Sequence, residues 1–293
     1  MTEASSGPAL VVLAAGQARR YGGCKPLAPV GPGGEAIIDL LASDAVAAGF
    51  STIVLVLSPS TGPAIRYHVE RGWPTWVDVR FALQATPRGT VDAVSSAWGE
   101  LDADAPYGVA NADDLYGPQP LGLLAAHLAA DGLEPALVGF PLSLATIGTA
   151  PVTRGVCTVS ADGFLSAIDE RRQVVPDGPG RFRAGDGREP AELSADVLVS
   201  VNLWGFTPAV RPHLEAALAA SAGESGEVLL PEVVSTLVVG VAPTERFRVL
   251  TATTPCVGVT HPDDLTLVQT AIARQVGRGE RAAEPWSTVE STR

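Results

Sequence analysis

Short apolar runs rich in β-branched residues alternate along the chain with Ala/Leu-rich stretches of helical period. That is the pattern of a parallel or mixed sheet covered by helices. The runs Ala9–Ala14, Thr52–Leu57, Trp76–Leu83, Tyr107–Ala110 and Pro135–Phe140 read as strands. Between them, Ala36–Ala48, Pro63–Glu70, Val91–Trp98 and Pro120–Ala130 read as helices, the first ending at Gly49. After Pro141 the texture changes. Gly155–Val159 and Phe164–Ile168 flank an Ala-Asp-Gly turn and predict a hairpin, whereas Pro176–Pro190 is so rich in Gly and Pro that it reads as a surface excursion. Strand Val197–Phe206, helix Arg211–Ala220, strands Phe247–Leu250 and Cys256–Val259, and helix Pro262–Val276 complete the pattern. The polar stretch from Gly277 to Arg293 is expected to be loosely held. No internal repeat or linker divides the chain. One domain over residues 1–280 is expected, with a ligand-binding half to about residue 140, a second half over 141–280 and a tail over 281–293.

Composition narrows the function. Hydrophobic residues make up 46% of the 293 and charged residues 18%, which excludes a disordered chain. The net charge of −12 argues against a nucleic-acid partner, so a small polyanion would need a local concentration of cations. Cys24, Cys157 and Cys256 lie too far apart for a zinc motif or a disulfide framework. The first ten residues lack the charged and apolar regions of a secretory signal, and no apolar run nears the roughly 20 residues of a membrane span. A cytoplasmic protein without a membrane partner is expected; a homo-oligomer stays open.

Against this background one segment stands out, Leu13-Ala-Ala-Gly-Gln-Ala-Arg-Arg-Tyr-Gly-Gly-Cys-Lys25-Pro. Lys25 is the only lysine among 20 basic residues. In an open α/β sheet ligands bind beyond the carboxyl ends of the strands, which is where this loop falls. Ala14, Ala15 and Gly16 allow close backbone approach, Arg20 has the fork that clamps a phosphate, and Lys25 adds a compact charge. Neither the Walker A pattern nor G-x-G-x-x-G is met: Cys24 and Pro26 break the first and Ala18 the second. A second candidate is Asn111-Ala-Asp-Asp114 at a strand end, which reads either as a local turn or as carboxylates for a hard cation.

The pattern L-A-A-G-x-x-x-R-x-x-x-x-K-P resembles the signature loop of the nucleotidyltransferase superfamily that includes the sugar-1-phosphate nucleotidyltransferases. Gln84-Ala-Thr-Pro-Arg-Gly-Thr90 is similar to its Q-x-x-P-x-G-T segment. Asn111-Ala-Asp-Asp114 stands where the family carries a metal motif, and Arg154-Gly-Val156, Asp169-Glu-Arg171 and Val201-Asn202 resemble its sugar-side segments. The likeness runs from about Leu10 to Trp286. It implies an α/β fold with a Rossmann-like mixed sheet flanked by helices, and attack by a phosphate monoester on the α-phosphorus of a nucleoside triphosphate. By the resemblance Arg20 and Lys25 are catalytic. Arg20 holds the departing pyrophosphate, and Lys25 bridges the attacking phosphate and the α-phosphate. Leu13, Ala14, Ala15, Gly16, Gln84, Gly89, Thr90 and Asn111 bind the nucleotide, and Asp113 holds Mg²⁺. The phosphorylated acceptor falls to Gly155, Glu170, Arg171 and Asn202.

Three departures temper the match. Ala18 replaces a common glycine, and Arg171 stands where many relatives have lysine. The aspartate of a late W-x-D-x-G segment, a second metal ligand in many relatives, is missing where Val257 or Gly258 stands. Asp263 and Asp264 fit the first turn of the following helix, where the macrodipole favours acids. Glu170-Arg171-Arg172 also reads as a solvated charge run, and Asn202 as a structural hydrogen-bonder in an apolar strand. Three other readings stay open. The acceptor is a cyclitol phosphate or a phosphonate; the chain senses nucleotide sugars without turnover; or it is a glycosyltransferase, which would need the D-x-D spacing that Ala112-Asp-Asp lacks.

Overall fold

The computed structural model describes residues 7–16, 23–130, 134–221, 226–239, 246–259 and 263–287. Four parallel strands open the chain: β1 (Ala9–Leu13), β2 (Thr52–Leu57), β3 (Asp78–Leu83) and β4 (Tyr107–Asn111). They lie in the order β3-β2-β1-β4, with Leu10 opposite both Ile53 and Gly108. The connections between them carry α1 (Ile37–Ala47), α2 (Gly62–Gly72) and α3 (Thr90–Ser96).

Strands β1 and β2 read as unbroken apolar runs because helices cover both of their faces. Alternation then divides the core. Leu10, Val12, Ile53 and Leu55 pack in one cluster with Ile37, Leu41 and Leu124. Val11, Val54 and Val56 pack in the other with Val91, Val94, Leu214 and Leu230. These side chains are essentially inaccessible, each worth roughly 1.5–3 kcal/mol on burial if fully removed from water.

The second half runs through β5 (Asp114–Leu115), α4 (Pro118–Leu128), β6 (Ala136–Pro141), β7 (Val152–Val159), β8 (Leu165–Pro176), β9 (Arg181–Ala184), β10 (Glu192–Ser194) and β11 (Leu198–Phe206). It ends with α5 (Arg211–Ala220), α6 (Leu230–Val238), β12 (Arg248–Thr251), β13 (Val257–Gly258) and α7 (Asp264–Gly277). Strand β11 is the junction. Its last residues pair antiparallel with β4 (Trp204 opposite Val109), its first with β7 (Val199 opposite Val156), and β6 flanks its other edge. The register slips between Ser200 and Trp204, where Asn202 takes a left-handed conformation with φ 61°. The sheet thus forks there, and the arm β7-β8-β9-β10 leaves the main sheet. The expected α/β mixed sheet flanked by helices is what the chain forms.

Three expectations change. The stretch Pro176–Pro190 is not only an excursion: β9 pairs with β8 and β10 inside it, and Phe182 and Ala184 are buried. The alternation Arg-Phe-Arg-Ala carries that signal, hidden by the flanking Gly and Pro. Helix α6 arises from Leu230, Val233 and Val234 at helical spacing behind a first-turn proline, a stretch left without an element in the sequence reading. The described part of the tail is docked rather than loose. Trp286 is buried with its ring centroid 5.3 Å from Trp73 and 6.0 Å from Trp76, and its backbone N–H donates to Ser43 Oγ at 2.7 Å. Arg281 is also buried, against Asp44, yet burial outweighs that partner and pushes the Asp44 carboxyl up to about 6.

Candidate active site

The carboxyl ends of β1 and β4 lie side by side, with Leu13 opposite Asn111 and the Ala112 N–H donating to the Leu13 carbonyl at 3.3 Å. Beyond them the two chains part, as adjacent parallel strands must when each feeds a different connection. Ala14 and Ala15 stay buried and Gly16 reaches the surface. The chain returns at Lys25–Leu27, a single 3₁₀ turn with Pro26 buried, which fixes the direction of the lysine. Lys25 Nζ lies 3.3 Å from Asp113 Oδ2, the two side chains 17% and 37% exposed. A cavity of about 120 Å³ lies beside them, lined by Leu13, Ala14, Gly16, Pro26 and Ala112 as well. Arg20, with residues 17–22, lies outside the described residues.

A neighbouring cavity of about 470 Å³ gathers Leu13, Ala15, Gly16, Gln84, Gly89, Thr90, Asn111 and Asp113. All the sequence-predicted nucleotide residues line one or other of these two cavities. The Gln84 amide nitrogen donates to the Gly89 carbonyl at 3.1 Å and to Asp92 Oδ2 at 2.9 Å. Both amide protons are therefore taken, which orients the group. Gly89 needs its freedom: φ is 97°, and a Cβ there would collide with the backbone of Val228. Thr90 Oγ1 accepts the Leu230 N–H at 2.8 Å, at the start of α6. Glu227 and Leu229, from the segment docked there, also line the cavity. Nothing in their local sequence marks them, because only the long-range pairing of residue 228 with residues 88 and 91 brings them in.

The acidic pair sits at the turn from β4 to β5. The Asp114 carboxylate accepts the Asn111 amide at 2.9 Å. Burial and then the repulsion of Asp113 raise its pKa to about 6, against the pull of Asn111, Arg154 and Lys25. Strand β13 pairs with β5, Gly258 opposite Asp114, and a Cβ on Gly258 would collide with Asp114 Oδ1. The Asp114 carboxylate thus occupies the space that a side chain at Gly258 would take. Asp264, in the first turn of α7, lines a further cavity of about 430 Å³ with Asp113, Asp114 and Arg154. Tyr116 ties the floor together: its hydroxyl accepts the Asn111 N–H at 2.9 Å and donates to the Val201 carbonyl at 3.0 Å.

A larger cavity, about 1040 Å³, lies where the sheet forks. It is lined by Asn111, Asp114, Gly155, Glu170 and Asn202, together with Arg154, Arg172, Arg188 and residues of α6. Asn202 Oδ1 accepts the Trp204 indole N–H at 3.2 Å, which leaves the amide N–H₂ facing this space. Arg171 departs from expectation and does not line the cavity. Strand alternation puts Glu170 and Arg172 on the cavity face and Arg171 on the other. There its side chain is only 2% exposed, forked on Asp186 at 2.9 and 3.0 Å and donating to the carbonyls of Arg188 and Pro190. Those hydrogen bonds hold the Asp186 carboxyl well below the usual range.

Residues 10–139 match the family model of the MobA-like NTP transferase domain. The match falls on the parallel half of the molecule, which is thus similar to a nucleotidyltransferase domain, as the resemblance read from the sequence implies. Among solved structures, HddC from Yersinia pseudotuberculosis is similar, with a TM-score of 0.57 and 15% identity over 90% of this chain and 99% of that one. At that identity the likeness is one of fold. No curated protein matches the chain in sequence. Among the described residues no helix is long and apolar enough to cross a membrane.

Proposed function

We propose that the chain is a cytoplasmic, Mg²⁺-dependent nucleotidyltransferase. It joins the NMP unit of a nucleoside triphosphate to a phosphorylated small molecule of the sugar 1-phosphate class and releases pyrophosphate. The observation that carries this reading is the Lys25–Asp113 pair at 3.3 Å, at the shared mouth of β1 and β4. Two opposite charges placed together at strand ends serve as each other's counter-ion. A polyphosphate takes over Lys25, and a cation takes over Asp113. The nucleotide half extends to about residue 140 and the acceptor half over 141–280.

The donor set suits a hard divalent cation: Asp113 opens on the cleft, and beside it stands the Asp114 carboxyl, whose pKa is raised first by burial and then by the charge of Asp113. Bound there, Mg²⁺ would neutralise phosphate oxygens. The chain's own groups do the rest by positioning. Lys25 draws the attacking phosphate toward the α-phosphate. Arg20, by the resemblance, retains the pyrophosphate. Gln84, its two amide protons engaged within the protein, presents its carbonyl oxygen to the base. Glu170 and Asn202 are placed to bond acceptor hydroxyls.

The test is a pyrophosphate-release assay across the four common triphosphates, with a panel of sugar, cyclitol and phosphonate acceptors. Release with one pairing supports the reading and names both substrates. Binding without release in every pairing would favour the sensing protein instead.

A further inference from the structure

Every acceptor in the proposed reaction carries a phosphate, and a chain of net charge −12 must meet it with a specific cation. Arg171, the residue that the sequence offers, is consumed by Asp186 and does not line the cavity. Two arginines that line the large cavity are also committed, Arg172 to Glu170 at 2.8 Å and Arg188 to Asp169. Arg154 differs. Its Nε and Nη2 donate to the Ala145 carbonyl at 3.0 and 2.6 Å, and its Nη1 to the Thr153 carbonyl at 2.9 Å. No carboxylate among the described residues pairs with it.

Carbonyls orient a guanidinium without cancelling its charge. Of the five N–H donors three are used, which leaves one on each Nη. Two donors on adjacent nitrogens suit an anion with two oxygens in one plane. Arg154 lines both the large cavity and the smaller one that holds Asp113 and Asp114, so it faces the place where acceptor and metal carboxylates meet. Resting on the reading above, we propose that Arg154 grips the phosphate of the acceptor, the role that the sequence assigned to Arg171.

The test uses the full chain and inorganic phosphate as the probe. Phenylglyoxal labelling read arginine by arginine should show phosphate slowing modification of Arg154 at least fivefold, with Arg172 and Arg188 changed less than twofold. In Arg154→Gln, phosphate affinity measured by calorimetry in the presence of a saturating triphosphate should fall tenfold or more. The same labelling of the wild-type chain stands by itself if that variant does not fold. Absence of protection at Arg154, or equal protection of all three arginines, overturns the proposal. If no triphosphate binds while Arg154 is still protected, the nucleotidyltransferase reading fails and the anion site stands.

Discussion

The parallel half and the forked arm solve opposite electrostatic problems. At the ends of β1 and β4, one lysine and one aspartate are left partly exposed and close together, supported by a rigid apolar floor. In the arm, charges are many and most are mutually satisfied: Arg171 with Asp186, Arg172 with Glu170, Arg183 with Asp177, Arg188 with Asp169, while Arg154 is held by carbonyls. The difference teaches that a count of cations says little about where an anion binds. What matters is which cations the fold turns toward a cleft and leaves open to a new partner.

The contrast can be broken first at Lys25. Lys25→Ala should lower turnover about 10³-fold, the scale of losing one donor to developing charge, with circular dichroism and melting little changed. Near-normal pyrophosphate release would remove Lys25 from the chemistry. In the arm the sign of the outcome reverses. Arg171→Ala leaves Asp186 with no cation and should lower the melting temperature by roughly 6 °C or more, whereas Arg172→Ala, at an exposed pair, should shift it by about 1 °C.

Asp114 joins the two problems in one residue. Its folded pKa is raised, so the folded state binds the proton more tightly than the unfolded chain does. Its stability penalty is therefore absent below about pH 4 and complete above about pH 6. Asp114→Asn should stabilise the protein at pH 7 by about 1–2 kcal/mol, give no gain at pH 4, and weaken Mg²⁺ dependence. Denaturant titrations at the two pH values, beside a metal titration of activity, check both parts. Thr90→Val removes the acceptor for the Leu230 N–H and should cost about 1 kcal/mol, read as a lower denaturant midpoint.

Much of the parallel half was legible because its signals are local. Thr52–Leu57 forms with the boundaries that its pattern predicts, as Arg211–Ala220 does in the second half, and Lys25 and Asp113 meet as their places at strand ends suggest. The arm was harder to read for definite reasons. Whether Glu170, Arg171 or Arg172 faces the cavity depends on the phase of β8, and a slip of one residue exchanges the faces. Arg-Phe-Arg-Ala of β9 has a strand's alternation inside a glycine- and proline-rich frame. Helix α6 matters to the site only because residue 228 docks on residues 88 and 91, a contact between segments about 140 positions apart for which a single sequence holds no signal. The burial of Trp286 among Trp73 and Trp76 is likewise a tertiary event.

Gly258 has one more implication. Because any side chain there would evict the Asp114 carboxylate, neither site can vary freely while the other stays put. Two adjoining strands share room for a single acid, and the smaller residue on one is the condition for the larger on the other. A lineage that moved its acid from β5 to β13 would have to empty position 114 in the same step, so intermediates carrying both acids should be poorly tolerated.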